Sequence, residues 1–481
     1  MRPIEFVCDV GQKGVGLPHC WEHTVGSCHA TLALRADWQQ QLRQAHTELG
    51  FGHVRFHGLL SDDVGTVFRE HKRLRYSFFN TDRIIDFLLS IGVRPFVELS
   101  FMPEVLASGH KTVFHYRGNV TPPRDFKQWG SLAGGLAQHL VDRYGAREVS
   151  QWFFEVWNEP NLDMFWTGTR NEYFKLYKHT ARALKEVDPG LRVGGPATAQ
   201  NAWITEFLAF CQTRRLPVDF VSTHHYPTDI AGYENADTET RLAQSRRSIM
   251  REWAQDARRR AGERPLYYTE WNTSADPRDP RHDEPYAAAF VVKTALEASG
   301  VADGYSFWAF SDIFEEDYFP SVPFHGGFGL LNLHGIAKPA YRAFELLHHL
   351  GNERLLVDGL HDTVDASVIR GGETITVLLT NHALPRYPIY ARTVQVRLTN
   401  ATRPRELWLQ RIDDDHANVK RTWRELEEPE YLDRDAVERL NAASRMVRES
   451  YPCMYADRTI HLELELPPHA VAAVTLEMAP R

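Results

Sequence analysis

The sequence predicts an α/β protein, a (β/α)8 barrel of the TIM type with an accessory antiparallel β-sandwich domain. Two observations carry this prediction. Between residues 13 and 350, short apolar runs alternate eight times with longer helical patterns, as parallel strands joined by helices do. From residue 351 to 481, short stretches of alternating apolar and polar residues are separated by turn signals, which indicates antiparallel strands packed as a sandwich.

The eight candidate barrel strands are spaced so that a helix fits after each. They are residues 20–27, 53–58, 94–100, 152–159, 192–197, 219–226, 266–272 and 304–312. The helical patterns between them have recognisable ends, such as Asn80 as an N-cap and Gly92 as a stop. Eight such units fit a barrel, which usually has about 250 residues plus insertions. A doubly wound open sheet is the competing architecture, but the glycines at 11–16 lack the spacing of a dinucleotide-binding loop.

The second region carries one irregular feature. Residues 427–450 are rich in charge and have a helical pattern, so we expect a helical insertion within the sandwich. This stretch has no spacing of residues that would suggest catalysis. It could serve assembly or brace the barrel.

Composition excludes several classes of partner. The chain has 55 basic and 63 acidic residues, a net charge of −8, which argues against nucleic acid. No window approaches the roughly 20 apolar residues of a membrane span, so no membrane partner is expected. The five cysteines are scattered and lack C-x-x-C spacing, which is typical of reduced thiols and predicts a cytoplasmic protein. The oligomeric state is left open, with a homo-oligomer as one option.

Two glutamates stand at the ends of predicted strands. Glu159 closes the fourth strand just before Pro160, and Glu270 closes the seventh. Catalytic residues of such barrels come from the carboxyl ends of the strands, so both would face one site. Glu155 shares a face with Glu159 but lies about 13 Å down the strand, and we predict a structural, paired acid there. Strict alternation would point Asn158 away from Glu159 unless the strand bulges or ends.

A pair of carboxyl groups in this arrangement suits glycoside hydrolysis. One protonates the leaving oxygen while the other attacks the anomeric carbon, and their pKa values must therefore be separated. Arg55 and His57 share a face of the second strand, and the Arg55 guanidinium near Glu270 would keep that carboxylate ionised. On residue pattern alone, the alternative is that both glutamates are structural ion pairs inside the barrel.

Other motifs predict no further chemistry. Adjacent residues His224 and His225 point to opposite faces of a strand, so they cannot chelate one ion, and no metal is expected. His225 is expected to be a buried histidine under a helix. The glycine-rich stretch 324–329 lacks the lysine and helix of a phosphate-binding loop and reads as a turn. Trp308 could form a stacking floor for a sugar or could belong to the core.

The two glutamate motifs resemble those of a known family. "WNEPNL" around Glu159 and "TEWNTS" around Glu270 resemble the acid/base and nucleophile motifs of glycoside hydrolase family 39, most closely its β-xylosidases. Further matching stretches are "RFHGLLSDDVG", "GVRPFVELSFMP", "GNVTPP", "FSDIFEE" and "PFHGGFGL". The resemblance continues into "RIDDDHANVKRTW" and covers nearly the whole chain.

The resemblance implies roles for individual residues. Glu159 would be the general acid/base, Glu270 the nucleophile, and Asn158 a contact of the sugar 2-hydroxyl. The residues implied to line the subsite of the non-reducing sugar are His57, Phe114, His224, Trp308 and Glu315. The family also places an N-terminal strand in the sandwich, so residues 1–12 are predicted to join that domain.

Two positions depart from the family pattern. Relatives carry a tyrosine shortly after the nucleophile motif, where this chain has Ala275. They also differ around "HHYPTD", which follows the sixth strand. Both departures lie where selectivity for the sugar would be set, so they bear on the substrate and not on hydrolysis itself.

We therefore expect a retaining exo-glycosidase that uses no cofactor and acts on small oligosaccharides or aryl glycosides, most simply β-D-xylosides. An α-L-arabinoside or another pyranoside is the alternative substrate. A uronide would need a cation near the C5 substituent of the sugar, and the sequence does not identify one. The alternative of a different class is a non-catalytic carbohydrate-binding barrel. Retention of both glutamates, Asn158 and Arg55 argues against it, because binding alone needs none of their proton chemistry.

Overall fold

The barrel is closed by eight parallel strands that follow one another in chain order. The computed structural model describes residues 2–71, 73–316, 319 and 321–479. Barrel strands 1 to 8 are Thr24–His29, His53–His57, Arg94–Leu99, Phe153–Val156, Arg192–Ala199, Phe220–His224, Leu266–Trp271 and Gly304–Phe307. The predicted barrel is confirmed, and the open sheet is excluded because the eighth strand pairs with the first.

Helices surround the strands. The main ones are Ala36–Leu49, Phe79–Ser90, Phe126–Tyr144, Arg170–Val187, Ile204–Thr213, Ile249–Ala261, Pro285–Ala298 and Pro339–His348, with short helices at Ala146–Val149 and Thr238–Gln244. Two predicted details differ. Residues Cys20–Glu22 form a 3-10 turn, so strand 1 starts later than expected. Asn80 lies inside its helix, and its amide donates to the Val64 carbonyl at 2.9 Å instead of capping.

The helix Pro285–Ala298 is buried on every side. Every residue in it except Glu297 is buried, including Tyr286 and Phe290. These two rings pack against His382 of the sandwich at centroid distances of 4.9 and 5.7 Å. The helix is apolar all round because it lies between the barrel and a sandwich sheet.

The remaining strands form two sheets packed face to face. The seven-stranded sheet, in spatial order, contains Val15–Gly16, Glu353–Leu355, Val364–Gly371, Thr374–Asn381, Val471–Met478, Pro404–Ile412 and Glu449–Ser450. The four-stranded sheet contains Ile4–Asp9, Arg392–Thr399, Thr459–Leu466 and Met454–Ala456. Apolar side chains from both sheets, such as Val377 and Val396, share one buried cluster. Two-stranded ribbons lie at Val67–Glu70 with Arg73–Tyr76 and at Thr112–Val113 with Gly118–Asn119.

The edges of the two regions are interleaved. The N-terminal strand Ile4–Asp9 pairs in parallel with Arg392–Thr399, and Val15–Gly16 also joins a sandwich sheet. The helical insertion consists of Val419–Glu425 and Arg434–Ala443, so it starts before the predicted residue 427. The division of the chain at residue 350 stays a prediction.

The floor of the barrel interior is aromatic. Phe96, Phe153, Phe220 and Tyr267 form a buried cluster near the amino ends of strands 3, 4, 6 and 7. The rings of Phe96 and Phe153 stack at a centroid distance of 4.9 Å. The polar residues closer to the carboxyl ends therefore lie above a buried apolar layer, where electrostatic interactions are strong.

Candidate active site

The fourth strand ends just before the predicted acid. Regular pairing stops at Val156, after which Trp157 and Glu159 adopt positive φ angles of +73° and +42°. Trp157 turns away from the interior and donates from its indole to the Phe165 carbonyl at 2.8 Å. Trp157 therefore does not share a face with Glu159, as strict alternation along the strand would require. The left-handed turns bring Asn158 and Glu159 into one cavity, which strict alternation does not allow.

The seventh strand contains a bulge that simple alternation also misses. Tyr268 pairs with Thr223 and Glu270 pairs with His224, so Thr269 is an extra residue in this strand. Thr269 and Glu270 consequently both face the interior, while Tyr268 donates outward to Asn201 at 2.8 Å. Tyr268 therefore does not share a face with Glu270, as strict alternation along the strand would require.

Arg55 holds four oxygen-bearing side chains at the centre of the barrel. It is fully buried, and its nitrogens lie 2.7 Å from Glu270 Oε1, 2.6 Å from Glu155 Oε2, 2.9 Å from Asn158 Oδ1 and 2.7 Å from Glu98 Oε2. Burial would lower the pKa of Arg55, but the three carboxylates raise it, so the guanidinium stays charged. The predicted contact of Arg55 with Glu270 is confirmed, and Glu155 is paired within the same network.

His57 supplies a second positive charge. Its Nδ1 lies 2.7 Å from Glu98 Oε2, and its Nε2 lies 3.7 Å from Glu270 Oε1. Burial would lower the pKa of His57, but the charge of Glu98 raises it to about 9. Burial opposes ionisation of Glu98, yet His57 and Arg55 lower its pKa below the usual range. Glu270 therefore faces two cations and also accepts from the Tyr226 hydroxyl at 3.0 Å.

Glu159 has a contrasting environment. Burial first, and the negative charge of Asp229 second, raise the pKa of Glu159 to about 8. Its Oε1 lies 2.9 Å from His224 Nδ1, and burial lowers the pKa of His224 to about 4. Near neutral pH, Glu159 is therefore protonated beside a neutral histidine, while Glu270 accepts hydrogen bonds from Arg55 and Tyr226. Such a contrast in environment suits an acid and a nucleophile.

Both glutamates open into one cavity at the carboxyl ends of the strands. It encloses about 190 Å³. The predicted residues that line it are His57, Phe114, Asn158, Glu159, Glu270 and Trp308. The Trp308 ring lies 4.7 Å from the His57 ring, centroid to centroid, and forms part of the wall. His224 lies in the layer behind and is fully buried. A larger cavity of about 1070 Å³ in the sandwich has no aromatic lining residue, so volume alone does not identify the site.

One predicted binding residue is displaced by a single position. Glu315 does not line the cavity, because its Oε1 accepts from Arg35 at 3.0 Å on the outer side of the loop. Glu316 lines the cavity instead, with Oε1 at 3.7 Å from His57 Nε2. Adjacent residues of an extended loop point in opposite directions, so an error of one residue reverses the side chain.

Several site residues were missed from sequence. Tyr226 and Asp229 line the cavity from the loop after strand 6, and Glu98 supports it from strand 3. Tyr226 could have been found, because it follows His224 at the spacing of residues that share a strand face. Both positions that depart from the family pattern meet here, since Asp229 and Ala275 line the same cavity. His225 lies under a helix as predicted, with its ring 4.3 Å from that of Trp253.

The same side chains were tested as a metal site. A metal site needs at least three His, Cys, Asp or Glu side chains with their ligand atoms close together. In the described part of the chain one such group is found, with ligand atoms all within 4.8 Å of one another: Glu159, His224 and Glu270. His224 Nδ1 and Glu159 Oε1 already share a hydrogen bond, and both Glu270 oxygens accept hydrogen bonds. The Arg55 cation at 2.7 Å from Glu270 would repel a metal ion. This donor set suits an acid and a nucleophile better than a cation.

Comparisons with known proteins agree with this geometry. A β-xylosidase of Caldicellulosiruptor saccharolyticus is 50% identical over 98% of each chain. A β-xylosidase of Geobacillus stearothermophilus is 38% identical over 95% of this chain and 92% of the relative. The solved structure of a family 39 β-xylosidase from Caulobacter crescentus superposes with a TM-score of 0.83 at 33% identity, covering 98% of this chain and 99% of its own.

The family assignment rests on nearly the full length of the chain. The model of glycosyl hydrolases family 39 matches residues 8–458, which include the barrel strands, both glutamates and most of the sandwich. No helix in the described ranges is long and apolar enough to cross a membrane. Together with the paired glutamates, these matches lead to one conclusion: the chain belongs to glycosyl hydrolases family 39.

Proposed function

We propose that the protein is a retaining exo-glycosidase that releases terminal β-D-xylose from xylo-oligosaccharides by double displacement. The observation that carries the proposal is the pair Glu159 and Glu270 at the ends of strands 4 and 7. A carboxyl oxygen of each lies within 4.8 Å of the other. Retaining enzymes need about 5–5.5 Å between the carboxyl groups, whereas inverting enzymes need about 6.5–9.5 Å to admit a water molecule.

In the first step, Glu270 attacks the anomeric carbon. Arg55 and the Tyr226 hydroxyl orient its two oxygens, so the attacking atom is fixed before substrate arrives. The bond from the anomeric carbon to the leaving oxygen breaks while a bond from that carbon to Glu270 forms. Glu159 gives its proton to the leaving oxygen, which departs as an alcohol.

In the second step, water replaces the alcohol. Glu159, now a carboxylate, takes a proton from water while the resulting oxygen attacks the anomeric carbon. The bond to Glu270 breaks, the sugar leaves with its original configuration, and both glutamates return to their starting states. The positive charges of Arg55 and His57 stabilise Glu270 as the leaving carboxylate.

The cavity favours a sugar without an acidic substituent. Asn158 accepts from Arg55 through Oδ1, so its amide nitrogen is the group that can donate to a sugar hydroxyl. Glu316 presents a carboxylate to the cavity, and its partner His57 is the one basic side chain among the described lining residues. A uronide would meet this acid without a dedicated cation. An α-L-arabinoside has no charge and stays the alternative, because Ala275 and Asp229 lie in the selectivity region.

The first experiment is hydrolysis of a panel of p-nitrophenyl glycosides by the wild type and Glu270→Ala. We expect release from the β-D-xyloside and loss of at least about 10⁴-fold in kcat for the variant, because no nucleophile remains. Glu206→Ala, on an exposed helix face beside Arg170, is the matched control and should keep full activity. Faster hydrolysis of an arabinoside than of the xyloside would change the proposed substrate but leave the proposed mechanism as it is. A folded protein that is inactive on the whole panel would favour the carbohydrate-binding barrel.

Two further proposals concern the protein's setting. All five cysteines are free thiols and four are buried, which supports a reducing, cytoplasmic compartment. A homo-oligomer also stays a proposal. Measurement of mass in solution, and comparison of activity with and without a thiol reductant, would test the two.

A further inference from the structure

Four buried side chains form a chain of hydrogen bonds that ends at Glu159. The Thr269 hydroxyl lies 2.8 Å from Glu155 Oε1 and 3.0 Å from His224 Nε2. The opposite ring nitrogen, His224 Nδ1, lies 2.9 Å from Glu159 Oε1. Glu155 and His224 are fully buried, Thr269 is 1% exposed and Glu159 is 8% exposed. No solvent is therefore needed to complete this chain.

The direction of each hydrogen bond follows from the number of protons available. Glu155 accepts from Arg55 Nε at 2.6 Å through its other oxygen, which identifies it as a carboxylate that only accepts. The Thr269 hydroxyl has one proton and must donate it to Glu155. Its oxygen can then only accept from His224, so the histidine proton lies on Nε2.

This arrangement leaves His224 Nδ1 without a proton. A neutral imidazole has one donor nitrogen and one acceptor nitrogen, so Nδ1 must accept. At 2.9 Å from Nδ1, Glu159 Oε1 must supply the proton of that hydrogen bond. A protonated Glu159 is the starting state that a general acid needs.

We propose that Thr269 and Glu155 are positioning residues that select the Nε2-protonated tautomer of His224 and so keep a proton on Glu159 in the free enzyme. The inference rests on the proposed function for its catalytic meaning, because it concerns the proton that Glu159 gives to the leaving oxygen. Neither residue lines the cavity, and both act through His224. The strand 7 bulge is what turns Thr269 inward to make this possible.

The charges around Glu159 are consistent with this tautomer. The groups that face Glu159 and His224 are Arg55 and His57 on strand 2, Glu98 on strand 3, Glu155 on strand 4, Asp229 and Tyr226 after strand 6, Glu270 on strand 7 and Glu316 after strand 8. Burial lowers the pKa of His224 to about 4, so the ring is neutral during catalysis. Burial and Asp229 raise the pKa of Glu159 to about 8, in the same direction as the absence of a donor at Nδ1.

The same tautomer serves the second half of the reaction. Once Glu159 has protonated the leaving oxygen, its carboxylate faces the lone pair of His224 Nδ1 and gains no hydrogen bond from it. An anion without a donor is a stronger base, so Glu159 takes a proton from water more readily. One fixed histidine tautomer thus supports both the acid and the base role.

The kinetic test compares Thr269→Val with Thr269→Ser. Valine has almost the shape of threonine but lacks the hydroxyl, so nothing selects the tautomer and His224 can donate from Nδ1 to ionised Glu159. The basic limb of the kcat/KM profile, which reports the free-enzyme acid, should move to lower pH by about one unit. Thr269→Ser keeps the hydroxyl and should leave the limb in place. An unmoved limb in the valine variant, or an equal shift in both, would overturn the proposal.

A direct test needs no variant and no turnover. Neutron diffraction of the deuterated wild-type protein at pH 6, between the two pKa values, should show deuterium on His224 Nε2 and on Glu159 Oε1 and none on His224 Nδ1. Deuterium on Nδ1 would overturn the proposal. This result stands whether or not the protein hydrolyses a xyloside, so failure of the proposed function and failure of this inference are distinguishable.

Discussion

Arg55 and Lys338 are both fully buried and each hold carboxylates in the barrel, but among their carboxylate partners in the described residues Glu270, held by Arg55, lines the cavity, whereas Asp283 and Asp312 do not. Lys338 Nζ lies 2.7 Å from Asp283 Oδ1 and 2.6 Å from Asp312 Oδ2, and all three side chains are fully buried. Arg55 is equally buried and joins three glutamates, but the side chain of Glu270 is 7% exposed and lines the cavity. Both networks pair a buried cation with carboxylates, but one carboxylate of the Arg55 network is partly exposed and none of the Lys338 network is.

The difference separates a structural role from a chemical one. The other oxygens of Asp283 and Asp312 accept hydrogen bonds from the backbone N–H groups of Gly326 and Gly329, and so fix the loop after strand 8. The second oxygen of Glu270 accepts a hydrogen bond from the Tyr226 hydroxyl, and the side chain still lines the cavity, where a substrate can reach it. A buried ion pair becomes a reactive site when one partner keeps an open side.

The largest effect is expected from removal of the Arg55 charge. Arg55→Met leaves buried carboxylates unpaired, which should destabilise the fold by about 3–5 kcal/mol. It should also lower kcat/KM by about 10²–10³-fold, since Glu270 loses a preorganised donor. Thermal unfolding and p-nitrophenyl xyloside hydrolysis measure the two effects.

Lys338→Met is the matched comparison. It should cost about as much stability, but the remaining folded enzyme should keep its kcat/KM within about tenfold, because Lys338 and its two aspartate partners are not among the described residues that line the cavity. If Lys338→Met lost as much activity as Arg55→Met at equal stability, the division into a structural and a chemical network would be wrong.

A smaller effect concerns pH. The negative charge of Asp229 raises the pKa of Glu159, so Asp229→Asn should lower that pKa. Because the acid form is the active one, the basic limb of kcat/KM should shift to lower pH, by up to about one unit. Glu234→Gln removes an exposed charge from the same loop and serves as the control. A shift to higher pH, or equal shifts in the two variants, would contradict the assignment of Glu159.

The smallest effect lies on the surface of the insertion. Arg434 Nε lies 3.0 Å from Glu438 Oε1, and these side chains are 89% and 64% exposed. Solvent screens such a pair, so Arg434→Gln should change the Tm by less than about 1 °C and leave activity unchanged. A drop comparable to that of Lys338→Met would show that burial is not what distinguishes these cations.

The regular features of the fold were predictable, because they repeat. The eight strands were found from apolar runs, and their parallel order placed Glu159 and Glu270 at one end of the barrel. The resemblance to the family then supplied the residues around them. The repeated strand pattern was therefore enough to predict the architecture, and together with the family motifs it identified the two principal glutamates.

The local irregularities were not predictable. The left-handed turn at Trp157 and the extra residue at Thr269 each break the alternation on which side-chain directions were argued. Glu315 was assigned from the resemblance, and an error of one position in the loop put Glu316 in the cavity in its place. Backbone geometry of this kind depends on tertiary packing around the site and leaves no periodic trace in the sequence.

The helix Pro285–Ala298 has a consequence for the ancestry of the chain. Helices on the outside of a barrel ordinarily keep one polar face, and this one has lost it to the sandwich. A lineage that shed the sandwich would expose Tyr286, Phe290 and their apolar neighbours at once, and would need many compensating substitutions before the barrel was soluble again. The two regions are therefore expected to be inherited together and not exchanged as interchangeable modules.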